Sequence, residues 1–174
     1  CGFNDYTVIR HDRTKKTGGG LAFLVHKSVS YRHIAVPAPT VNDEFLEQQG
    51  IAITSGKSVI TLYNIYIPPV SCCAPGYTPS IVHLLETHDS IIVGDFNAHH
   101  GSWYSAIAED SRGGLIAEQI EDSNFGILND DTPTRITDNC ESSPDITLAS
   151  PELLPNTSWY TDRALGCDHL PITI

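Results

Sequence analysis

Long apolar runs are scarce in this sequence of 174 residues. Segments such as residues 21–25 and 90–93 fall far short of the roughly 20 residues that a helix needs to cross a bilayer. Hydrophobic residues still make up 40% of the chain, which is enough to bury one sizeable core. The sequence therefore predicts a single soluble domain over residues 1–174, with no membrane among its partners.

Positive charge is scarce as well. Ten basic residues against twenty-one acidic ones give a net charge of -11. This balance argues against a broad surface that binds a polyanion by neutralising many phosphates. It does not exclude an enzyme that acts on a phosphodiester, because a bound divalent metal supplies positive charge locally and the acids around it lower the net charge.

The cysteine and methionine content narrows the protein classes that remain. The five cysteines are an odd number, and the neighbours Cys72 and Cys73 do not have the spacing of zinc ligands. Neither a disulfide framework nor a structural zinc site is indicated, so a reducing intracellular compartment is the simplest interpretation. Methionine is absent and the sequence begins at Cys1. We therefore expect a piece of a longer protein, in which a missing targeting signal carries little information.

Apolar segments bounded by turn residues predict a strand-rich, antiparallel first half and a mixed second half. Helical spacing is found at residues 79–86 and at residues 115–123, the latter preceded by Gly113 and Gly114. The predicted strands cover residues 21–25, 51–54, 58–67, 91–93, 127–129, 144–149 and 170–174. Strands with intervening helices predict an α/β layered domain whose helices pack outside the sheets.

The most informative segment is an apolar strand that ends in Gly94-Asp95-Phe96-Asn97. Side chains two apart on an extended chain share a face, so Asp95 and Asn97 are expected on the same side. An acid and an amide at one strand end suit a phosphate and a metal ion. A plain Gly-Asp turn after a strand is the alternative.

Four polar motifs, each at the end of an apolar strand, follow one another along the chain. They are Asn64-x-Tyr66-x-Pro68-Pro69, Gly94-Asp95-Phe96-Asn97, Ser143-Pro144-Asp145-Ile146-Thr147 and Cys167-Asp168-His169-Leu170-Pro171. In this order they resemble the endonuclease/exonuclease/phosphatase superfamily, and within it the endonuclease domain of non-LTR (LINE-type) retrotransposons. Trp103 and the three glycines at 18–20 favour that branch over apurinic repair enzymes or phosphatases.

The resemblance implies a fold, a reaction and partners. The implied fold is an α/β layered sandwich of two mostly antiparallel sheets flanked by helices. The implied reaction is hydrolysis of a DNA phosphodiester assisted by Mg²⁺, with Mn²⁺ as the alternative metal. The nick would let a reverse transcriptase domain of the same polyprotein prime from the new 3′ hydroxyl. DNA, that reverse transcriptase and a nuclear location are therefore expected.

The last two motifs supply the histidine and its carboxylates, in the roles that the resemblance implies. His169 contacts the scissile phosphate or serves the attacking water, and Asp168 lies by the metal. Asp145 orients the imidazole, as carboxylates do in other hydrolases. The plainer alternatives are a turn-capping role for Asp145 and a surface pair of Asp168 with His169.

The first two motifs supply phosphate contacts and a second metal carboxylate. The resemblance implies that Asp95 positions or deprotonates water, or assists the leaving group, beside the metal. Asn97 is expected to contact phosphate through its amide, Tyr66 to donate a hydrogen bond on the phosphate side, and Asn64 to contact DNA. Tyr66 is otherwise a packing residue. Arg112 is either a phosphate contact or a solvated charge.

Two further side-chain types are not assigned to the chemistry. His99 and His100 are adjacent, and neighbours on an extended segment point to opposite faces. An oxygen-rich site also suits magnesium, whereas imidazole suits zinc. Trp103 is expected to pack behind the site rather than to stack on a base.

The sequence departs from the family pattern at its start. That pattern begins with a strand carrying an Asn and another ending in a Glu that binds the metal, and both would precede Cys1. Glu44 and Glu47 come too late to replace that Glu. The chain is then either a fragment or a decayed copy, in which Asp95, Asp168 and Asn97 hold a hydrated magnesium weakly.

Losing strands from a sheet exposes an edge and apolar surface, so instability is a further expectation. Cys167 stands where the family commonly has Ser, a change between small side chains. Two functions remain as alternatives to the endonuclease: an inactive relic or DNA-holding module, and a phosphoesterase of the same superfamily that acts on a lipid or inositol phosphate.

Overall fold

A mixed six-stranded sheet forms the centre of the molecule in the computed structural model, which describes residues 4–13, 20–39 and 43–174. The strands are β1 (Tyr6–His11), β2 (Leu21–His26), β3 (Ser30–His33), β4 (Glu47–Ser55), β5 (Ser58–Tyr66), β6 (Ser90–Asp95), β7 (Gly126–Ile127), β8 (Arg135–Thr137), β9 (Cys140–Ser142), β10 (Asp145–Ala149), β11 (Tyr160–Thr161) and β12 (Ile172–Thr173). The α-helices are α1 (Val82–Leu85) and α2 (Ser111–Glu121), and short 3-10 helices span Val70–Cys72 and Leu154–Asn156.

The strand order of the central sheet brings distant segments together. The order is β3-β4-β5-β6-β10-β7, and β1-β2, β8-β9 and β11-β12 form separate two-stranded sheets. Within the central sheet β5 and β6 are parallel, and the other neighbours are antiparallel. The parallel pair places the carboxyl ends of β5 and β6 at the same edge of the sheet, where β4 and β10 begin.

One row of residues crosses the sheet at this edge. Glu47 pairs with Tyr66, Tyr66 pairs with Asp95, and Asp95 pairs with Asp145. Residues that pair directly across strands share a face of the sheet, so these four side chains lie side by side over about 15 Å. We call these four residues the strand-end row.

The opposite face of the sheet carries the main core. Alternate residues of β5, Tyr63 and Ile65, are buried there, as are Ile92 of β6 and Ile116 of α2. Burying a side chain of this size stabilises the fold by about 1.5–3 kcal/mol each. This core holds α1 and α2 against the sheet, and it leaves the strand-end row on the other face.

A second, smaller cluster packs on the face that carries the row. Ile9 of β1 and Val25 of β2 are buried against Ile51 of β4. The β1-β2 hairpin thus covers part of the central sheet. Its outer surface includes apolar side chains, since the cross-strand partners Val8 and Leu24 are each 44% exposed.

The predicted layered α/β fold is confirmed, while several element limits differ. Helix α2 begins at Ser111, before the two glycines that were expected to precede it. Asp110 caps this helix by accepting a hydrogen bond from the backbone N–H of Gly113 (2.6 Å). A Cβ at Gly113 would lie 1.8 Å from the carbonyl oxygen of His99. The glycine is therefore explained by a close tertiary contact inside the helix.

Other predicted segments are shortened. The helix expected at 79–86 is the single turn α1, the strand expected at 170–174 is the two-residue β12, and the run expected at 127–129 is β7. Strands β1, β3, β8, β9 and β11 were not predicted. Gly18 and Gly19 lie outside the described residues, and Gly20 leads directly into β2.

Cys72, Cys73, Cys140 and Cys167 are free thiols, and Cys1 lies outside the described residues. Within the described parts of the chain, no helix combines the length and the apolar character needed to span a membrane.

Candidate active site

A histidine, a carboxylate and a hydroxyl form a hydrogen-bonded chain at one end of the strand-end row. The Nδ1 atom of His169 lies 2.8 Å from Oδ2 of Asp145. Thr134 donates its hydroxyl hydrogen to the same carboxylate oxygen (2.7 Å) and accepts a hydrogen bond from the backbone N–H of Asp145 (3.2 Å). The side chain of His169 is 38% exposed, and its Nε2 atom has no hydrogen-bond partner among the described residues. The imidazole ring is thus oriented through Nδ1, and its Nε2 atom is left for a substrate or water.

Backbone pairing explains why these three residues meet. Arg135 and His169 form an antiparallel bridge, and the backbone N–H of Leu170 donates to the carbonyl of Thr134 (2.7 Å). The hairpin β8-β9 therefore carries Thr134 to the chain segment that carries His169. Thr134 is fully buried, and it was missed in the sequence because its partners are remote along the chain.

The position of Asp95 in the row disfavours the ionised form of its carboxyl group. Burial raises the pKa of Asp95 to about 6, and the neighbouring Asp145 carboxylate adds to the increase. The backbone N–H of Asn97, which donates to Oδ1 of Asp95 (3.0 Å), and the nearby His169 act in the opposite direction. Two acids side by side in a half-buried position create a negative potential that a cation would relieve.

Asn97 lies beside Asp95 for a different reason than expected. Strand β6 ends at Asp95, and Asn97 adopts a left-handed conformation with φ of 47°. The predicted extended geometry of this segment is therefore wrong at Asn97. Its side-chain Nδ2 donates to the carbonyl of Ile67 (3.0 Å), which joins the Gly-Asp-Phe-Asn turn to the end of the Asn64-x-Tyr66 motif.

Gly94 allows the two parallel strands to approach each other. A Cβ at this position would lie 1.9 Å from the carbonyl oxygen of Ile65 in the neighbouring strand. Any side chain here would push β5 and β6 apart. The glycine of the motif is thus required by packing, and it sets the position of Asp95 next to Tyr66.

Tyr66 and Asn64 lie on the same strand, on the side of the row. Burial raises the pKa of Tyr66, and the adjacent Asp95 contributes further, while Arg13 opposes the change. Asn64 donates weakly through Nδ2 to the carbonyl of Ala22 (3.4 Å). Asn64 also lines a cleft of about 390 Å³ that contains Asp95, Asp145 and the β12 residue Ile172. Their predicted contacts with phosphate and DNA stay predictions.

Asp168 is bound to an arginine. Both Nε and Nη2 of Arg135 lie 2.8 Å from Oδ2 of Asp168. This hydrogen bond lowers the pKa of Asp168. The pair is exposed, with 46% of the Asp168 side chain and 41% of the Arg135 side chain accessible. The predicted metal ligand therefore has a competing partner, and its role as a ligand stays a prediction.

Arg112 lies behind the site rather than in solvent. Only 4% of the residue is exposed, so the interpretation as a solvated charge is wrong. Its Nη1 donates to the carbonyls of Pro68 (2.7 Å) and Asn97 (3.2 Å). Arg112 thereby connects two motifs through their backbones. Its predicted role as a phosphate contact stays a prediction.

The two histidines after the second motif have different surroundings. Nδ1 of His99 is buried without a partner among the described residues. Nε2 of His100 lies 3.6 Å from the Glu109 carboxylate, and its ring packs against Trp103. Trp103 is 1% exposed, which confirms its expected packing role.

The carboxylates at this site suit a metal ion that keeps most of its water ligands better than one that is fully ligated by the protein. In the described ranges, no three His, Cys, Asp or Glu side chains come together in a way that could hold a metal ion. The raised pKa of Asp95 nevertheless indicates where a cation would be stabilised. Magnesium keeps several waters and often takes only one or two carboxylates. The residues therefore fit a hydrated Mg²⁺ at Asp95; at Asp168, Arg135 contacts only Oδ2, which leaves Oδ1 for the ion.

The fold is endonuclease/exonuclease/phosphatase-like. Residues 60–173 match the family described as Endonuclease-reverse transcriptase. The match covers more than half of the chain and includes all four polar motifs. The chain belongs to this family.

Solved structures share the fold at low sequence identity. The endonuclease domain of TRAS1, a telomere-specific non-LTR retrotransposon, is 20% identical, with a TM-score of 0.71 over 97% of this chain and 78% of that one. TDP2 from D. rerio, complexed with a single-strand DNA product, is 12% identical, with a TM-score of 0.52 over 97% and 76%. Truncated TDP2 from Caenorhabditis elegans is 11% identical, with a TM-score of 0.54 over 96% and 72%. Among curated proteins none matches.

Proposed function

We propose that this domain is a metal-dependent DNA endonuclease that nicks its target by hydrolysing a phosphodiester. The observation that carries the proposal is the 2.8 Å contact between His169 and Asp145 beside the half-buried Asp95. A carboxylate-oriented imidazole next to a second acid suits hydrolysis, because one group handles protons and the other positions water or cation. Membership of the Endonuclease-reverse transcriptase family supports a nucleic-acid phosphodiester as the substrate.

His169 is the proton-handling group in this proposal. Asp145 accepts the hydrogen of Nδ1, which fixes the imidazole tautomer and leaves Nε2 for the reacting groups. Nε2 then accepts a proton from water, or donates one to a phosphate oxygen when the ring is protonated. Thr134 holds the Asp145 carboxylate in place and is a positioning residue.

The remaining residues bind the phosphate and water. Asp95 positions the attacking water or assists the leaving group. Tyr66 donates a hydrogen bond to phosphate, and Asn97 and Asn64 contribute amides on either side. Bound Mg²⁺, or Mn²⁺ in its place, would stabilise the charge that develops on the phosphate oxygens. Asp95, with Asp168, would hold it.

The biological role follows from the family. We propose that the nick supplies a 3′ hydroxyl to a reverse transcriptase domain of the same polyprotein. DNA and that domain are then the partners, and the nucleus is the site of action. The family's description, which joins endonuclease and reverse transcriptase, supports this role.

An inactive DNA-holding module is the second candidate. It is favoured by the engagement of Asp168 with Arg135 and by the lack, among the described residues, of three grouped metal-binding side chains. In that case the row would contact DNA without hydrolysing it.

Nicking of supercoiled plasmid at low salt, with Mg²⁺ and with chelator, distinguishes the two. The variants to compare are His169→Ala and, as a matched control, His88→Ala, which removes an exposed histidine paired with Glu152. We expect magnesium-dependent nicking that His169→Ala abolishes and His88→Ala retains. DNA binding without nicking by any variant, including a version extended at its N terminus, would support the second candidate.

A further inference from the structure

An arginine is held beside the active site by an acid of the strand-end row. Nε and Nη2 of Arg13 both donate to Oε1 of Glu47. The other carboxylate oxygen, Oε2, accepts the backbone N–H of Gly20 (2.7 Å). The guanidinium carbon of Arg13 lies 5.7 Å from the centre of the Tyr66 ring. Glu47 thus fixes Arg13 over the aromatic face of the residue next in the row.

Arg13 keeps unused hydrogen-bonding capacity in this position. A guanidinium group has five N–H donors, and the contacts with Glu47 use one from Nε and one from Nη2. Nη1 has no hydrogen-bond partner among the described residues. The Arg13 side chain is 21% exposed, whereas that of Glu47 is only 10% exposed. The pair therefore presents guanidinium rather than carboxylate to solvent at this end of the row.

The other arginines near the site are committed elsewhere. Arg112 is buried and bound to backbone carbonyls, and Arg135 is bound to Asp168. In a chain with a net charge of -11, a fixed guanidinium next to Tyr66 is a favourable place for an anion. Planar guanidinium groups bind phosphate oxygens through paired N–H donors.

We propose that Arg13 binds a backbone phosphate of the DNA strand on the Tyr66 side of the scissile bond, and that Glu47 is the residue that positions it. The inference rests on the proposed function, because it takes DNA as the substrate. It adds a phosphate subsite outside the four motifs, at the end of the row opposite His169.

The salt dependence of DNA binding tests this subsite without requiring hydrolysis. The assay is fluorescence anisotropy of a labelled DNA duplex with chelator present, repeated over a series of salt concentrations. The plot of log affinity against log salt has a negative slope, and loss of one phosphate contact makes it less steep by about 0.9. We expect this change in Arg13→Gln, together with a roughly three- to tenfold weaker affinity near physiological salt.

Two variants separate this contact from charge and from folding. Lys57→Gln removes one positive charge at the exposed β4-β5 turn, about 30 Å along the strand from Glu47, and we expect the wild-type slope. The double variant Arg13→Gln/Glu47→Gln retains the wild-type net charge and leaves no unpaired buried acid, yet we expect it to lose the contact. Circular dichroism and thermal melting check that each variant is folded.

A neutral phosphate locates the contact along the DNA. A series of duplexes is prepared, each with a single uncharged methylphosphonate at a different position. One of them should bind the wild type more weakly than the unmodified duplex does, whereas Arg13→Gln should bind both duplexes equally. Equal slopes for the wild type and the folded double variant would overturn the inference, even if the plasmid is nicked. Absence of both DNA binding and nicking by the wild type would overturn the proposed function, and the inference with it.

Discussion

Replacing Asp95 by Asn should stabilise the domain at neutral pH and not at low pH. The carboxylate is half-buried beside Asp145, which raises its pKa from 3.8 to about 6. An acid with a raised pKa in the folded state contributes stability while it is protonated. That contribution is complete below about pH 3.8 and is lost as the pH rises through about 6. The asparagine does not titrate, so it avoids this loss.

The magnitude follows from the two pKa values. The interval from 3.8 to about 6 corresponds to about 3 kcal/mol in the free energy of ionisation. Solvent screens the exposed part of the carboxylate, and this reduces the expected effect to roughly 1–2 kcal/mol. The free energy of unfolding of Asp95→Asn minus that of the wild type should therefore be roughly 1–2 kcal/mol larger at pH 7.5 than at pH 4.

Urea unfolding with a chelator present measures the difference at each pH. The control is Asp12→Asn, which removes an exposed carboxylate paired with Arg10 and should not reproduce the gain between pH 4 and pH 7.5. A constant difference between Asp95→Asn and the wild type across the range would refute the argument. It would mean that neither burial nor the neighbouring Asp145 raises the pKa of Asp95 in the folded protein.

Three substitutions test the packing that positions the site. Thr134→Val should lower the free energy of unfolding by about 1–3 kcal/mol, because a buried hydroxyl that bonds Asp145 is lost; Thr134→Ser should restore most of it in the same urea assay. Arg112→Lys should lower the melting temperature, since an ammonium group does not reproduce the guanidinium geometry at two carbonyls, and an unchanged value would argue against the connection. Gly94→Ala should leave little soluble folded protein by circular dichroism, because its Cβ would lie 1.9 Å from the carbonyl oxygen of Ile65.

Much of the site could be predicted because its signals are local. Apolar runs that stop at polar motifs mark strand ends, and the ends of β5 and β6 do lie together. The expected partnership of Asp145 with His169, taken from the family resemblance, corresponds to a 2.8 Å contact. These residues are recognisable because each motif contains its own turn and its own polar group.

The residues that were missed depend on tertiary contacts. Thr134 reaches Asp145 only because the β8-β9 hairpin pairs with the segment around His169. Arg13 and Glu47 are separated by 34 positions along the chain, and no local pattern connects them. Gly113 suggested a helix boundary, whereas it lies inside α2 at a close contact with the backbone.

Charge at the two ends of the site connects DNA binding with cation binding. Arg13 is paired with Glu47 at one end, and Arg135 is paired with Asp168 at the other. Each pair is neutral overall, so neither cancels the negative potential of the acids between them. A cation at these acids reduces their repulsion of an approaching phosphate. By linkage, DNA and a divalent cation should each raise the affinity of the domain for the other.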